Sequence, residues 1–546
     1  MANRFNYAEM SKQKRNIFDL THDKKMAIQS GKLYPIMCEE VVPGDTWKCQ
    51  TELMIRMAPM IAPTMHRIDA YIHHFFVPNR LLMPNEDWEV FITGGENGDG
   101  LNDEGELVVI PTLEGTAGGD VTNNLGEGSL ADYLGIPSFD DGTVWADFKV
   151  SQLPFRAYHL ICNEYYRDQD LQEKQFAKKD WADVMNFASP SWAAASQLRK
   201  RCWEKDYFTS ARPFAQKGEA VKLPLQGAAD IVLKDNIPPA GDQTWKHQDG
   251  SNSTVGPNVF TDYGDGLTKM SDGASAPSNL DPNGTLEADL SNATATSIND
   301  LRTANRLQMW LEKMARAGSR YIEAILSHFG VVSDDARLQR PEYLGGGRQP
   351  ITISEVLATA GEKDPDTGSL VPQGNLAGHG ISTGQTNRCK AYFKEHGFII
   401  SILSVKPRSA YFQGLPKKFF RFDNTEYYWP LYAHLGEQEV KTKELYYDPT
   451  VEATTPDKTF GYQERYSEYK YIASSVHGAF KTSEADYWHM ARRFDNEPVL
   501  NNEFVEVEDI DRIFAVTQAS NQDYWVQVLN KVTAKRPMPI FARPRL

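Results

Sequence analysis

The chain has 546 residues, 41% of them hydrophobic and 24% charged, so it contains enough apolar side chains for a substantial core. Its length alone predicts roughly two to four domains. The formal net charge is −15, from 58 basic and 73 acidic residues, which argues against a protein that binds nucleic acid over its whole surface. It does not exclude a local basic face, because net charge does not describe how charges are distributed.

The cysteines and the first residues bear on where the protein is made. An odd number of widely spaced cysteines without a CxxC pair predicts buried, reduced thiols in a reducing cytoplasm. We expect no signal peptide, because the first residues contain no apolar stretch. No run approaches the roughly 18 apolar residues of a membrane span, so no membrane insertion is expected. The five cysteines are Cys38, Cys49, Cys162, Cys202 and Cys389.

The first part of the chain predicts an arm followed by strands. Residues 1–32 are polar with scattered basic side chains, which indicates an extended arm. The short apolar run 53–57 predicts a strand. In 68–77 one side is largely apolar, and Phe75 and Val77 make the far end of the other side apolar as well. This alternation predicts a strand that is covered on both sides near one end.

Two long loops and a helical region follow. Residues 93–128 are rich in Gly, Asp, Asn and Glu and predict a loop. Helical signals dominate 150–220, where Pro154 suits a first helical turn. Residues 226–297 predict a second long loop, and loops of this length are more often functional or interfacial than filler. Apolar residues at helical spacing in the helical region are Phe155, Tyr158, Ile161, Cys162 and Tyr165.

The region 298–361 is interpreted as a helical insertion. The strongest helical pattern begins at Leu301 and ends at Gly330, with Gly318 as a weak point. We expect its apolar stripe to pack on a β-barrel and to be buried there. A shorter helix is predicted from the capping-box spacing at the start of 352–361. The stripe residues expected to be buried are Leu307, Trp310, Leu311 and Met314.

Strand signals return near the end of the chain. Residues 398–405 are nearly all apolar or β-branched, as in a central strand. The alternating segments 512–517 and 524–533 predict two more strands. Strands therefore cluster at both ends while helices and loops fill the middle, which indicates a β-domain with greatly expanded connections.

No pattern in the sequence predicts catalysis, a cofactor site or a metal site. The run GGGR at 345–348 could cradle an anion, but it lacks the spacing of a phosphate loop and is interpreted as a flexible turn. The acidic, glycine-rich stretch 262–273 lacks the ligand spacing of a calcium loop. His66, His73 and His74 are close in the sequence, but adjacent strand residues point to opposite faces, so the three cannot converge on one metal without another segment.

The C-terminal residues 531–546 are basic and too rich in proline for a helix. They are interpreted either as a solvated tail or as an arm that contacts phosphates, and the residues favour neither.

Several short phrases, in a shared order, resemble the major capsid protein of the Microviridae, in its gokushovirus branch. The resemblance covers nearly the whole chain outside 93–128 and 226–297. The phrases are FDLTH (18–22), VPGDT (42–46), MIAPTM (60–65), FFVPNR (75–80), WEVF (88–91), LPFRAY (153–158), NEYYRD (163–168), DYFTS (206–210), and WVQ (525–527) followed by RPMP (536–539).

The resemblance implies one eight-stranded antiparallel jelly-roll barrel over 33–546, mainly β, with large helical and loop insertions. It implies a structural subunit without enzymatic activity or cofactor, which assembles through pentamers into a small icosahedral T=1 shell around circular single-stranded DNA. The protein would be made in the cytoplasm of a bacterial host and reside in the virion. Implied partners are an internal scaffolding protein, a small basic DNA-packaging protein and a host receptor, the last reached by 226–297 as a surface protrusion.

A shell with this net charge still encloses a polyanion, so we expect its inner surface to be locally basic. The alternative is that the basic chain ends join neighbouring subunits. A second alternative for the whole chain is a carbohydrate-binding or hydrolytic β-protein with helical insertions, which only the 11% aromatic content supports. The candidate DNA contacts are Arg4, Lys12, Lys14, Arg15, Lys535, Arg536, Arg543 and Arg545.

Overall fold

The computed structural model describes the chain from residue 14 to residue 541, with gaps. It divides into two compact units. The larger unit consists of Met1–Ala215 together with Met314–Leu546, and the smaller unit is Gln216–Lys313. The gaps are 84–86, 96–97, 104, 115–124, 138–147, 177–180, 182–188, 220, 222–229, 234–245, 248–258, 263–267, 272–277, 280–285, 290–297, 318–319, 358–361, 364–369, 372–375, 455–456 and 517–521.

The larger unit is built on a nine-stranded antiparallel sheet. In chain order the strands are β1 Asn16–Asp19, β2 His22–Ile28, β3 Tyr34–Val41, β4 Thr46–Met57, β5 Ile68–Pro78, β6 Glu342–Leu357, β7 Leu376–Tyr392, β8 Gly397–Pro407 and β9 Tyr524–Arg536. In space, β1 and β2 share one side of β9, and the order then continues β9, β4, β7, β6, β5, β8 and β3.

The pairing order is that of a jelly roll. With β1 and β2 counted as one position, four strands form the half β2–β9–β4–β7 and four form the half β3–β8–β5–β6. Strand β6 joins the halves, since Ile351 pairs with Ile68 of β5 and Thr352 pairs with Ile381 of β7. The halves also meet at the other edge, where Asn530 Nδ2 donates to the carbonyl of Ile36 at 3.2 Å. The predicted fold class is confirmed.

The barrel interior is filled by alternate side chains of the strands from both halves. Along β9, Val526 and Val528 are buried, whereas Trp525 between the barrel-facing positions is half exposed. The strand predicted at 524–533 is confirmed and continues to Arg536, so 531–536 belongs to a strand and not to a tail. The main interior cluster includes Leu53, Ile55 and Met57 of β4, Ile68, Ala70 and Ile72 of β5, Leu403 and Val405 of β8, and Val526 and Val528 of β9.

The half β3–β8–β5–β6 is covered on its outer side as well. Phe75 and Val77 of β5 lie in a second core with Tyr158 and Trp192, which belong to helices outside the barrel. Strand β8 lies between β5 and β3 and is buried along its whole length. Both-sided burial at the end of 68–77 and the central position of 398–405 were predicted, and both are confirmed.

The helices lie in the connections of the barrel, which are 79–341 between β5 and β6 and 408–523 between β8 and β9. The helix predicted from Pro154 is confirmed and continues as a π-helical turn, Cys162–Tyr166. The α-helices are α1 Asp87–Thr93, α2 Leu130–Leu134, α3 Leu153–Ile161, α4 Pro190–Ala195, α5 Ile298–Ala317, α6 Tyr321–Phe329, α7 Pro449–Thr454 and α8 Asn502–Val505. The 3₁₀ turns are Asn79–Leu81, Lys417–Phe419, Asn424–Glu426, Pro430–His434, Thr442–Glu444, Ser467–Tyr469, Gly478–Lys481, Asp486–Trp488 and Asp511–Ile513. Among the described helices, none is long and apolar enough to cross a bilayer.

The predicted loop 226–297 contains strands in its described parts. They form nested antiparallel pairs, in which an outgoing segment pairs with a returning one. These pairs are Asp230–Leu233 with Leu286–Asp289, Lys246–His247 with Ser278–Asn279, and Val259–Asp262 with Thr268–Ser271. In the larger unit the short pairs are Thr112–Glu114 with Lys149–Ser151, Glu362–Lys363 with Leu370–Val371, and Glu437–Lys441 with Thr459–Glu464.

The helix predicted at 352–361 is wrong, and so is the flexible turn at 345–348. Both segments contribute to β6, whose pairing with β5 and β7 outweighs the local capping-box signal. Gly346 is required there, because an added Cβ would lie 2.3 Å from the carbonyl oxygen of Ile72. The strand predicted at 512–517 is also wrong, since Asp511–Ile513 forms a 3₁₀ turn.

The long helix predicted at 301–330 is two helices, α5 and α6. The prediction that its apolar stripe is buried is wrong for the single chain. Trp310 is 50% exposed and Leu307 is 46% exposed, while Leu311 and Met314 are partly buried. Helical periodicity identifies an apolar face but does not show what covers it.

One pair of cysteines departs from the prediction of reduced thiols. Cys49 of β4 and Cys389 of β7 lie directly opposite each other in the register and form a disulfide, with their Cα atoms 5.1 Å apart. Cys38, Cys162 and Cys202 are free thiols, as predicted.

Two tryptophans give a matched test of the packing. Trp192 is fully buried and lies edge-on to Phe155 with ring centroids 4.9 Å apart, whereas Trp310 is half exposed. We expect Trp192→Ala to lower the free energy of unfolding by about 3–5 kcal/mol, as large truncations in a core do. Trp310→Ala should cost about 1 kcal/mol or less. Urea unfolding followed by circular dichroism measures both, and equal losses would contradict the assigned packing.

Candidate nucleic-acid interface

The half β2–β9–β4–β7 has one face in the barrel interior and an outer face that is largely exposed. Because strand side chains alternate, every second residue of β4, β7 and β9 points to this outer face. On β9 the exposed positions include Lys531, Thr533 and Lys535. We call this surface the outer sheet face.

The strand register aligns basic side chains across the outer sheet face. Lys531 lies opposite Gln50, which lies opposite Arg388. In the next row Thr533 lies opposite Lys48, and Lys48 lies opposite Lys390. Lys48, Arg388, Lys390 and Lys531 are all exposed. Adjacent strands are only about 4.8 Å apart, so these cations form one compact basic patch.

The next row along the sheet brings three of the candidate DNA contacts, Lys14, Arg15 and Lys535, to the same patch. Lys535 lies opposite Thr46, which lies opposite Tyr392. The exposed Arg15 places its guanidinium carbon 5.5 Å from the centroid of the Tyr392 ring, and its Nη2 donates to the Tyr392 hydroxyl at 3.4 Å. Lys14 is exposed next to it in the chain. The two ends of the chain therefore meet at one edge of the outer sheet face.

The opposite part of the outer sheet face combines cations with an aromatic ring. Lys25 of β2 lies opposite Gln527, and Arg56 of β4 lies opposite Trp525. Lys25 and Arg56 are exposed, and Trp525 is 51% exposed. An accessible indole beside cations is the combination on which single-stranded bases stack.

Acidic side chains reduce the charge of the face only in part. Lys531 Nζ forms an ion pair with Glu52 Oε1 on the neighbouring strand. Asp19 of β1 accepts hydrogen bonds from the backbone N–H and the hydroxyl of Thr21, and these bonds lower its pKa. Lys48 and Lys390 form no ion pair with described residues.

Arg536 has contacts within the subunit. Its Nε lies 3.0 Å from Oδ2 of Asp45, which is completely buried, and its Nη2 donates to the carbonyl of Glu40 at 2.7 Å. Its guanidinium carbon also lies 5.4 Å from the centroid of the Trp47 ring. These contacts fasten the end of β9 to the β3–β4 turn. The predicted contact residues Arg4, Lys12, Arg543 and Arg545 lie outside the described residues.

Sequence reasoning missed the basic residues of the outer sheet face that lie on β2, β4 and β7. Lys25, Lys48, Arg56, Arg388 and Lys390 are far apart in the chain, and only the register makes them neighbours. A signal was present in the sequence, because basic residues alternate with buried ones in the segments 47–49 and 388–390.

The two strand histidines lie on opposite faces, as predicted. His73 Nδ1 is 2.7 Å from the hydroxyl of Tyr166 outside the barrel, and His74 Nδ1 is 2.6 Å from Oγ of Ser401 in β8. Burial lowers the pKa of His73 to about 3 and the pKa of His74 to about 4. Both imidazoles are therefore neutral near pH 7 and act as packed, hydrogen-bonded core groups.

Comparison with known proteins gives the family. Residues 8–546 match the family described as capsid protein (F protein). The chain is 35% identical to capsid protein VP1 of Chlamydia phage 1, over 100% of this chain and 98% of the relative. It is 36% identical to capsid protein VP1 of Bdellovibrio phage phiMH2K, over 97% of this chain and 95% of the relative. It is 31% identical to capsid protein VP1 of Spiroplasma virus 4, over 97% of this chain and 95% of the relative. The chain therefore belongs to the phage capsid protein (F protein) family and is a structural capsid subunit.

Proposed function

We propose that this capsid subunit forms a small icosahedral T=1 shell, through pentamers, around a circular single-stranded DNA genome. We further propose that the outer sheet face lines the shell interior and contacts the DNA. The observation that carries the second proposal is the register that places Lys48, Lys390 and Lys535 in adjacent rows of one solvent-facing sheet.

The charge of the chain supports this assignment. A subunit with a net charge of −15 repels a polyanion unless the surface that faces it is locally basic. Contacts from lysine and arginine to phosphates release condensed counterions and carry no sequence information. Trp525 would add stacking on bases, which is also tolerant of sequence. The expected interaction is therefore salt-dependent and not sequence-specific.

The remaining partners follow from the family and from the chain's organisation. The nested strand pairs between Asp230 and Asp289 lie within a separate compact unit, which suits a surface protrusion that meets a host receptor. An internal scaffolding protein and a small basic packaging protein would act during assembly in the bacterial cytoplasm. The subunit would reside in the virion and have no enzymatic activity.

Neutralising the basic rows should weaken DNA binding in a salt-dependent way. In the variant Lys48→Gln/Lys390→Gln/Lys535→Gln, the slope of log K against log salt for oligo-dT should become shallower by about 2, since each phosphate contact to a single strand contributes roughly 0.7. Fluorescence anisotropy over a salt series measures this slope. The matched control removes the same charge elsewhere through the exposed residues Arg337, Lys418 and Lys481, each changed to Gln. Equal slopes for the two variants would refute the assigned face.

The same triple variant tests the role of the face in particles. If the outer sheet face contacts the genome, shells should assemble but contain less DNA, measured as the ratio of nucleic acid to protein absorbance in purified particles. Normal DNA content would contradict the proposal. Failure to form shells would instead favour the alternative in which the basic residues join neighbouring subunits. Arg536 is left intact because its pairing with buried Asp45 fastens the end of β9 to the β3–β4 turn.

A further inference from the structure

Three aspartates converge where the long β8–β9 connection returns to the barrel. Asp511 begins the 3₁₀ turn Asp511–Ile513, Asp509 lies two residues before it, and Asp523 immediately precedes β9. One carboxylate oxygen of each residue lies within 4.8 Å of those of the other two. Three carboxylates are thus held together by two segments that are separate in the chain.

The buried carboxylate of the group lacks a donor. Asp523 is 6% exposed, and its Oδ2 is buried without a hydrogen-bond partner. A buried carboxyl oxygen without a hydrogen-bond partner is costly, and a bound ion or an ordered water is one way in which native proteins satisfy such an atom. The backbone on either side is fixed, because the N–H of Ala58 donates to the carbonyl of Asp523 at 2.7 Å and Tyr524 is completely buried.

The two nearby lysines, Lys32 and Lys200, do not form ion pairs with the three aspartates. Within the described part of the chain, none of the three aspartates forms an ion pair. Lys32 Nζ donates to Gln29 Oε1 at 2.7 Å, and Lys200 Nζ lies 3.7 Å from Glu506 Oε2. Both lysines are near enough to favour ionisation of Asp509. Their direct partners, however, lie outside the group of three carboxylates.

The geometry is electrostatically unfavourable for the protein alone. Burial, reinforced by Asp509 and Asp511, raises the pKa of Asp523 to about 8. Burial and the neighbouring Asp511 raise the pKa of Asp509 to about 6, against the opposing effect of Lys32. A positively charged ligand at the centre of the three oxygens would remove this repulsion.

We propose that Asp509, Asp511 and Asp523 bind a divalent cation of the calcium class. Hard cations of this class prefer oxygen ligands and accept six to eight of them, so water can complete a shell begun by three carboxylates. Asp509 and Asp511 are exposed, which leaves an open side for entry and for water. The group contains only carboxylate ligands, and such ligands select hard cations over zinc or copper.

The bound cation would hold the end of the β8–β9 connection against the start of β9. Tyr524, the first residue of β9, pairs with Met57 of β4 on one side and with Ile28 of β2 on the other. Fixing this position therefore stabilises a junction of three strands. The proposal is independent of the DNA interface, because it concerns the stability of the subunit and not its contacts with the genome.

Metal binding can be measured directly on the full-length protein after removal of cations with a chelator. We expect Tb³⁺ to bind with luminescence sensitised by Tyr524, and Ca²⁺ to displace it. Millimolar Ca²⁺ should raise the melting temperature by about 2–4 °C, since a ligand that binds only the folded state stabilises it. No change in melting temperature together with no sensitised Tb³⁺ luminescence would overturn the proposal.

Variants separate a specific site from general charge effects. Asp523→Asn should change the melting temperature little in metal-free buffer near pH 7, because burial raises the pKa of Asp523 to about 8 and leaves this carboxyl largely protonated there. The variant should abolish the increase caused by Ca²⁺. Asp511→Asn changes an exposed side chain, so it should fold normally and weaken Tb³⁺ binding at least about tenfold, because affinity depends on the number of charged ligands. The matched control is Asp495→Asn, an exposed carboxylate outside the group, which should keep the Ca²⁺ response. An unchanged Tb³⁺ affinity in Asp511→Asn would refute the site.

Discussion

The two-residue period of a strand is the constraint on which the rest of the structure depends. Each barrel strand must place apolar side chains inside, and a slip of one residue would turn that set outward. Once Val526 and Val528 of β9 are fixed inside the barrel, Lys531 and Lys535 must point to the other face. The same rule orients Lys48 on β4, which pairs with β9, and Lys390 on β7, which pairs with β4. The basic patch is therefore a consequence of core packing.

The two halves of the barrel meet this constraint differently. The half β3–β8–β5–β6 is covered by α3 and α4, so β8 is buried on both faces. Of the two β5 histidines, His74 is buried and His73 partly buried, and both are neutral. The half β2–β9–β4–β7 leaves its outer face largely exposed, and that face carries charge. One sheet can thus serve as a support for the insertions while the other remains available for a polar partner.

The errors of the sequence analysis share one cause. The capping-box spacing at the start of 352–361 is a true local signal, but the pairing of β6 with two strands outweighs it. The stripe containing Trp310 is truly amphipathic, yet periodicity cannot say whether its cover comes from the same chain. Both signals are local, whereas the outcome depends on partners that are distant in the sequence.

The sequence by itself determined the strands at 53–57, 68–77, 398–405 and 524–533, the both-sided burial of β5, the helix at Pro154 and the family resemblance, because these depend on local alternation or on ordered motifs. It predicted an extended arm at 1–32, where the structure has β1 and β2 paired with β9. It named Arg15 and Lys535 as candidate DNA contacts but could not place Lys48 beside Lys390. Only the tertiary structure decided that pairing, the Cys49–Cys389 disulfide and the meeting of Asp509 with Asp523. The reason is physical: the first two depend on the register between strands joined by long connections, and that register is set by the barrel core as a whole. The third depends on how the end of the β8–β9 connection packs against the start of β9.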